Sequence, residues 1–244
     1  MIVPSVRVIG GGRAGTSLHR ALVAAGWTSA GVLGRDDDPT DAARGVDLLV
    51  LATPDGVLAE VASSVDPVVD TVVAHLSGAT GLDVLATHGS RASVHPLVAL
   101  PDPEVGAERL RGAWFAVAGD PPAVDLVRRV VDDLDGRAVE VADGDRAVYH
   151  AAAAAASNHL VALMGQVERL AAVAGVPLEA FVDLAAGALD DVCAVGPAAA
   201  LTGPAARGDE ATIAAHLAAL APDERATYEA MVLEARRLAR EVGS

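Results

Sequence analysis

The sequence has no lysine, and all 18 of its basic residues are arginine. This absence excludes Schiff-base chemistry and a lysine general acid or base, since both need an ε-amino group. Cys193 is the only cysteine, so an intrachain disulfide cannot form, and a reducing cytoplasm is the expected compartment. Because the pattern around Cys193 is apolar and helical, we expect its thiol to be buried.

Signals for export or membrane insertion are also lacking. The N-terminal stretch does not have the charged and apolar regions of a signal peptide, since Val6 to Ile9 already form a predicted strand. No apolar run approaches the roughly 20 residues that a membrane helix needs. We therefore expect a cytoplasmic protein with no membrane partner.

Positive charge is scarce, and the two halves of the chain share the net charge of −15 almost evenly. Neither half is basic, which argues against nucleic acid or an anionic membrane as the main partner. With 244 residues, 52% of them hydrophobic, the chain can bury the core of one large domain or two ordinary ones. An anionic ligand would have to be held by local arginines and helix ends.

A glycine-rich turn links a short apolar run to an amphipathic helix. Residues 6–15 read VRVIGGGRAG, in which Gly10, Gly12 and Gly15 have the spacing G-x-G-x-x-G. In dinucleotide-binding proteins the first glycine permits a tight turn, the second lets backbone approach a pyrophosphate, and the third lets the helix pack on the strand. The helix is predicted over Thr16 to Ala25, and its N-terminus would favour the phosphates. Arg13 and Ala14, in the turn before it, are expected to contact the cofactor. The alternative is a tight connection that binds nothing.

Arg35 ends the second predicted strand, about 20 residues beyond Gly15, where NAD-binding proteins carry an acidic residue. A guanidinium there suits the 2′-phosphate of NADP, and Arg13 could add a second contact. The acidic run 36–38 could instead reach a ribose hydroxyl, or form a solvated loop. The pattern favours NADP over NAD.

The run Val46 to Ala52 is continuously apolar, which is typical of a strand buried on both faces of a parallel sheet. Thr53 and Pro54 follow it at the sheet edge where ligands of open α/β sheets bind, and we expect them to contact the cofactor. Further strands are predicted at 6–9, 30–33, 72–76, 92–94, 114–118 and 138–141.

From residue 143 onward the strand signals vanish, and helices are predicted at 146–174, 178–193, 211–220 and 223–242. The sequence therefore predicts an α/β protein. A Rossmann-type, doubly wound, mostly parallel sheet would form an NAD(P)-binding domain in residues 1–142, followed by an all-helical substrate and dimerisation domain in 143–244. The helices are too apolar to be solvated all round, so we expect a homodimer through them.

Two polar clusters end predicted strands. Ser77 follows His75 at one strand end, and His95 precedes Pro96 at another. Each could sit beside a nicotinamide ring, or could merely mark a turn, as Ser-Gly and His-Pro pairs often do.

A third polar cluster interrupts the long helix, where His150, Ala154 and Asn158 are four residues apart and share one face. A buried Asn must be hydrogen-bonded, so Asn158 and His150 could contact substrate or bond between helices. No histidine and carboxylate pair has the spacing of metal ligands, so no metal site is predicted.

A loop in the second half combines glycine, proline and an Arg-Asp pair. Arg207, with Thr202 nearby, could bind a substrate carboxylate, or Asp209 could cap the next helix. Both alternatives can hold together.

The chain resembles bacterial proteins in which a Rossmann-like NAD(P)-binding domain precedes a helical domain called DUF2520. The resemblance rests on IGGGRAGTSL, HLSGATGLDVL, SVHPL, YHAAAAAASNHLVAL and, most specifically, LTGPAARGDEATIAAHLAAL. The layout is also similar to the 6-phosphogluconate dehydrogenase superfamily, which implies a helical half that dimerises and completes the active site. For some DUF2520 proteins the implied activity is reduction of 2-dehydropantoate to pantoate with NADPH.

One position departs from this resemblance. The β-hydroxyacid dehydrogenase branch carries a lysine four residues before the Asn that matches Asn158, and that position is Ala154 here. A proton for carbonyl reduction would then come from a histidine titrating near neutrality, a serine relay or water.

Our sequence-based hypothesis is an NADP(H)-dependent reductase of a small carbonyl acid. His95 or His150 would donate the proton, Asn158 and Ser77 would orient the carbonyl, and Arg207 would hold the carboxylate. The alternative is a dinucleotide-binding sensor or interaction module without hydride transfer.

Overall fold

A seven-stranded sheet forms the centre of the first half in the computed structural model, which describes residues 3–241. Its strands are β1 (Ser5–Ile9), β2 (Thr28–Leu33), β3 (Leu48–Leu51), β4 (Val72–His75), β5 (Arg91–Pro96), β6 (Trp114–Gly119) and β7 (Arg137–Glu140). They lie in the order β2-β1-β3-β4-β5-β6-β7, and β1 to β5 are parallel. β6 is antiparallel to β5 and parallel to β7. The predicted Rossmann-type, mostly parallel sheet is confirmed.

Apolar side chains bury both faces of this sheet. In β3, Leu48 and Val50 belong to one hydrophobic cluster, whereas Leu49 and Leu51 belong to a second cluster on the opposite face. The helices that supply these clusters and the rest of the first half are α1 (Arg13–Ala24), α2 (Asp55–Ser64), α3 (Pro103–Arg109), α4 (Pro121–Asp133) and α5 (Arg146–Ala154). The continuous apolar run at β3 thus has the predicted cause, burial on both faces.

The strand order reverses between β1 and β3. From β1 the chain passes through α1 to β2 on one side and later enters β3 on the other side. Ligands of open α/β sheets bind outside the carboxyl ends of the strands at such a switch point. The glycine turn after β1 and the Thr53-Pro54 turn after β3 flank this position.

The second half of the described chain is helical, as predicted. Between residues 158 and 241 no strand occurs, and the helices are α6 (Leu160–Ala174), α7 (Leu178–Val195), α8 (Pro197–Ala200), α9 (Pro204–Arg207), α10 (Glu210–Ala219) and α11 (Pro222–Glu241). Among helices in residues 3–241, none is long and apolar enough to span a membrane.

The long helix predicted over 146–174 is not continuous. A π-helical turn, Ala155–His159, separates α5 from α6. Ser157 lies in this turn, and its hydroxyl donates to the carbonyl oxygen of Ala153 at 2.7 Å. Such a bond from a side chain to the preceding turn bends helices, because it competes for the carbonyl of the α-helical ladder.

The chain divides into two compact units between Ser157 and Asn158. The boundary expected at residue 142 follows the change from strands to helices, whereas the first unit extends to Ser157. The reason is that α5 is tied to the sheet through Arg146, whose guanidinium bonds to Ser77 and Ser93.

The expectation of a buried Cys193 is wrong. Cys193 is exposed, and α7, which carries it, has no buried residue. The apolar pattern of α7 predicted burial, but in the single chain this helix leaves large apolar side chains such as Leu184 at the surface, 68% exposed.

Candidate functional site

The turn between β1 and α1 requires two of its glycines for steric reasons. Gly10 has φ of +116°, and a Cβ there would lie 2.5 Å from the carbonyl oxygen of Ala52. A Cβ at Gly15 would overlap the carbonyl oxygen of Gly10. The tight turn and the close helix packing expected of these glycines are both present.

Gly12 has a different role, because a Cβ there would meet no atom within 4 Å. It is the N-cap residue of α1, and the first turn of α1 contains no acidic side chain. The N–H groups of a first helical turn have no partners within the helix and carry a partial positive charge. The open space before Gly12 therefore suits an anionic group that approaches the backbone.

A cleft of about 1010 Å³ opens at the carboxyl ends of β1, β2 and β3, and we call it the strand-end cleft. It is lined by seven of the eight residues that were expected to hold the cofactor: Gly10, Gly12, Arg13, Ala14, Arg35, Thr53 and Pro54. Gly15 lies behind the turn, where it packs α1 on the sheet. The three strand ends therefore border one continuous cleft.

Arg35 lines this cleft with a positive charge that no neighbouring side chain among residues 3–241 neutralises. Its side chain is exposed and forms no hydrogen bond or ion pair with any residue in the described part of the chain. Asp37 instead accepts the N–H of Gly34 at 2.7 Å, and Asp38 accepts the N–H and hydroxyl of Thr40 at 3.0 and 2.6 Å. The hydrogen bonds from Thr40 lower the pKa of Asp38. Asp37 and Asp38 thus make the local hydrogen bonds of a loop, and Asp37 also lines the cleft.

Thr53 adds an unsatisfied polar atom to the cleft. Its Oγ1 is buried and has no hydrogen-bond partner within residues 3–241. A buried hydroxyl without a partner is unfavourable by about 1–3 kcal/mol. A ligand with a suitable donor or acceptor would remove this penalty, so the residues present fit a dinucleotide with an extra phosphate.

A second group of side chains lies at the ends of β4 and β5, and we call it the histidine cluster: Gly78, His95, Tyr149 and His150. Nδ1 of His95 lies 2.6 Å from the phenolic oxygen of Tyr149, and the two rings meet edge to face. The ring centroids of His95 and His150 are 6.1 Å apart. A Cβ on Gly78 would lie 2.8 Å from Cε1 of His95 and 2.9 Å from Cδ2 of His150. Only glycine at this position lets both imidazoles pack so closely.

His95 does not titrate near neutrality. Burial lowers its pKa to about 4, and the electrostatic interactions with His150 and Arg146 act in the same direction. Burial also raises the pKa of Tyr149, although Arg146 opposes this shift. At neutral pH the pair is therefore a neutral imidazole bonded to a neutral phenol, which corrects the expectation of a histidine poised near pH 7.

Arg146 carries a positive charge near the cluster, and its side chain is almost completely buried, at 1% exposure. Its Nε lies 2.8 Å from Oδ1 of Asp143, and it also donates to the hydroxyl of Ser93 and, at 3.5 Å, to the carbonyl oxygen of Ser77. Asp143 in turn accepts the N–H of Leu82 at 2.9 Å. One guanidinium thus connects α5 with the ends of β4 and β5.

Comparison with known proteins gives the family of this chain. Residues 113–235 match the model of a domain of unknown function, DUF2520, and residues 35–101 match the model of a Rossmann-like domain. The chain belongs to the DUF2520 family. In this DUF2520 protein the histidine cluster joins both matched segments, since His95 lies in the Rossmann-like match and Tyr149 in the DUF2520 match. No curated protein sequence matches the chain significantly.

Several solved structures share the fold. Protein BF3122 from Bacteroides fragilis is 18% identical, with 98% of each chain covered and a TM-score of 0.75. Protein TM1727 from Thermotoga maritima is 20% identical, with 98% of this chain and 100% of that chain covered and a TM-score of 0.74. The reductive aminase from Aspergillus terreus in complex with NADPH and ethyl levulinate is 15% identical, with 99% of each chain covered and a TM-score of 0.70. At these identities the similarity shows the fold.

Two strand-end residues of the DUF2520 protein that were expected at the site, Ser77 and His75, have structural surroundings. Oγ of Ser77 accepts the N–H groups of Ala79 and Thr80 at 3.3 and 3.0 Å, and the hydroxyls of Ser77 and Thr80 are bonded at 2.8 Å. His75 is completely buried, and neither ring nitrogen has a partner within the described residues. Burial lowers its pKa to about 4, with Arg146 adding to the shift. For Ser77 the turn is therefore observed.

The remaining expected residues belong to the second unit. Asn158 is exposed in the π-helical turn, so the argument that it shares a face with His150, which assumed one continuous α-helix, does not apply. Thr202 and Arg207 are exposed in the segment of short helices before α10. Asp209 caps α10, accepting the N–H and hydroxyl of Thr212 at 3.0 and 2.7 Å, and this expectation is confirmed.

Tyr149, Arg146 and Gly78 are the residues of this site that the sequence did not reveal. Tyr149 directly precedes His150, and Arg146 follows Asp143 by one helical turn, so both had weak local signals. Their partners in the sheet are more than 50 residues away in sequence, at Ser93 and His95. Only the fold brings them together.

Proposed function

We propose that this DUF2520 protein is an NADP(H)-dependent oxidoreductase that reduces a small carbonyl acid. The observation that carries the proposal is the strand-end cleft, in which a glycine turn, an uncommitted Arg35 and the orphaned hydroxyl of Thr53 meet at the switch point. The A. terreus reductive aminase, which shares the fold, is solved with NADPH and supports the choice of cofactor.

The cleft residues have distinct roles in this proposal. The pyrophosphate would lie at the N-terminus of α1, over Gly12, and Arg35 with Arg13 would bind the 2′-phosphate by charge-assisted hydrogen bonds. NAD lacks this phosphate, so it would bind more weakly. When bound, the nicotinamide supplies a hydride to the substrate.

The histidine cluster lies on the strands next to the cleft, because β4 and β5 follow β3 in the sheet. His95 would donate an N–H hydrogen bond to the carbonyl oxygen, and its low pKa keeps it neutral while it does so. Carrying a proton to an oxygen that gains negative charge is the usual task of a general acid. His150 would border the same space and exclude water.

The substrate is proposed to carry a carboxylate, and 2-dehydropantoate is the first candidate, on the family resemblance. Thr202 and Arg207, both exposed in the second unit, are our candidates for the carboxylate contact. A bidentate arginine is well suited to that group.

We further propose a homodimer formed through the helical unit. Its helices expose large apolar side chains, among them Val173 at 89%, Leu184 at 68% and Leu233 at 62%. Exposed apolar surface of this kind is typical of an interface. The mass of a dimer is expected in light scattering, and the mass of a monomer would contradict this proposal.

The test of the main proposal combines binding with turnover. Calorimetry is expected to show tighter binding of NADPH than of NADH, and NADPH is expected to be oxidised when 2-dehydropantoate or another 2-oxo acid is added. If NADPH binds but no carbonyl acid is turned over, the reductase proposal fails. If NADPH does not bind, the proposed cofactor site fails as well.

The second candidate function is a dinucleotide-binding sensor without hydride chemistry. It is favoured by Ala154, which stands where related dehydrogenases carry a lysine, and by the absence of any lysine in the chain. A sensor would bind NADPH without turnover, and its affinity would not change in the H95A, H150A or N158A variants.

A further inference from the structure

The two nitrogens of His95 have different surroundings. Nδ1 faces the phenol of Tyr149 at 2.6 Å, whereas Nε2 has no hydrogen-bond partner among the described residues. Nε2 lies 2.9 Å from the position that a Cβ of Gly78 would take. Glycine at position 78 therefore lets the Nε2 edge of His95 pack against the backbone. Unlike both ring nitrogens of His75, Nε2 of His95 is not fully buried.

Counting protons assigns the tautomer of this histidine. The Tyr149 hydroxyl carries one proton, and within residues 3–241 its only hydrogen-bond partner is His95. If Nδ1 carried the imidazole proton, two hydrogens would compete for one bond and the phenol proton would have no acceptor. If the phenol donates to Nδ1, both groups are satisfied and the imidazole proton is on Nε2.

We infer that Tyr149 is a positioning residue that holds His95 as the Nε2–H tautomer and passes a proton to Nδ1 when Nε2 releases its own to a substrate oxygen. This inference rests on the proposed function, because it names the source of the proton in that reaction. It also explains how the chain manages without a lysine.

The proton transfers balance without a charged imidazole. The carbonyl carbon of the substrate accepts a hydride from a dihydronicotinamide, and its oxygen takes the proton of Nε2. As that N–H bond breaks, the O–H bond of Tyr149 breaks and the Nδ1–H bond forms, so His95 stays neutral. The phenolate then takes back the proton from Nδ1 while solvent protonates Nε2, which restores the starting tautomer.

The surroundings favour this route over an imidazolium. From α5, Arg146 and His150 both disfavour positive charge on His95, and from α2 only Asp55 opposes them. Burial raises the pKa of Tyr149, and the attraction of Arg146 opposes this rise. The positive charge that penalises an imidazolium thus reduces the cost of the phenolate that the relay leaves behind.

The second unit provides a matched control. Nδ1 of His216 lies 2.6 Å from the phenol of Tyr228, and the ring centroids are 5.8 Å apart. This pair is exposed, and Tyr228 is the only other tyrosine of the chain. The variants Y149F and Y228F therefore each remove a tyrosine–histidine hydrogen bond, the first at the proposed active site and the second at an exposed position outside it.

The direct test is ¹⁵N NMR of the histidine side chains at neutral pH, without substrate. Wild-type protein and Y228F are expected to show His95 protonated at Nε2 and not at Nδ1, whereas Y149F is expected to show a mixture of tautomers. A wild-type His95 protonated at Nδ1 would overturn the inference, as would a Y149F spectrum with an unchanged tautomer.

Kinetics test the relay itself. Y149F is expected to lower kcat by about 10- to 100-fold with little change in KM, since a general acid contributes roughly 10²–10⁴-fold and the imidazole is retained. Y228F is expected to keep wild-type kcat. Melting curves and NADPH calorimetry test whether Y149F is folded. If it is not folded, the tautomer of His95 in the wild-type protein tests the inference instead. A Y149F enzyme with full kcat overturns the relay, whereas a wild-type protein without turnover counts against the proposed function instead.

Discussion

The guanidinium of Arg146 donates a hydrogen bond to the hydroxyl of Ser93 and so joins α5 to β5 inside the first unit. Its charge is balanced by Asp143, whose own carboxylate is 42% exposed. A buried charge without a partner is strongly unfavourable, so the stability of this connection depends on a residue that is half at the surface.

Replacing Asp143 by Asn removes the negative charge and leaves Arg146 buried. We expect D143N to lower the free energy of unfolding by about 2–4 kcal/mol, somewhat below the usual loss for a broken buried pair because Asp143 is partly solvated. Trp27 and Trp114, the only tryptophans, both lie in the first unit, so their fluorescence in urea measures this loss. The control is D41N, which breaks the exposed Asp41–Arg44 pair and is expected to change stability by less than about 0.5 kcal/mol.

Replacing Gly78 by Ala is expected to displace both imidazoles of the histidine cluster. The new Cβ would lie 2.8–2.9 Å from His95 and His150, so stability should fall by about 1–3 kcal/mol, as for other overpacked sites. The ¹⁵N and ¹H signals of both histidines should shift. G89A, whose Cβ would meet no atom within 4 Å, is the control. Unchanged histidine signals in G78A would contradict the close packing of Gly78 against both imidazoles.

Replacing Arg35 by Ser tests the cofactor preference. We expect the affinity for NADPH to fall about 10- to 100-fold, because hydrogen bonds to charged groups contribute about 1.5–3 kcal/mol, while the affinity for NADH stays the same. Calorimetry with both cofactors measures the two affinities. R20S changes an exposed arginine of α1 that does not line the strand-end cleft, and it should bind both cofactors like the wild type. An equal loss for NADPH and NADH in R35S would argue against a 2′-phosphate contact.

The buried histidines predict how stability depends on pH. His75 has an ordinary pKa of 6.5 in the unfolded chain and about 4 in the folded protein, so the unfolded state binds more protons between these values. Its contribution is complete above pH 6.5 and is lost as the pH falls towards 4, in total on the order of 3 kcal/mol. Carboxyl groups with lowered pKa values, such as Asp47, lose their contribution only at lower pH.

The variant H75L checks this assignment by urea unfolding at pH 7 and at pH 4.5. Since neither ring nitrogen of His75 has a partner within the described residues, H75L should be as stable as the wild type at pH 7. It should lose less stability than the wild type on acidification. H216Q, which changes an exposed histidine of the second unit, should keep the wild-type dependence.

The sequence predicts the sheet and the strand-end cleft well because both depend on local patterns. Seven short apolar runs mark the seven strands, and the glycine turn with Arg35 marks two of the strand ends that line the cleft. These features follow from burial on two faces and from turn sterics, which act over a few residues.

The remaining features of the site depend on contacts between residues far apart in the sequence, which local patterns do not predict. His95 was recognised as a candidate, but its partner Tyr149 is 54 residues away, and no local pattern connects them. The low pKa of His95 also depends on Arg146, which reaches the cluster only through the fold. The prediction for Cys193 is wrong for another reason. An apolar helix pattern predicts that the helix packs against another surface, but it does not show whether that surface belongs to the same chain.

The extension of the first unit to Ser157 bears on how such proteins recombine. An exchange of the helical half after residue 142, where the strands end, would part His95 from Tyr149 and Arg146 from Ser93. An exchange after Ser157 would transfer the whole helical unit and leave both pairs intact. Natural or engineered chimaeras should therefore tolerate a crossover within the π-helical turn better than one at the last strand.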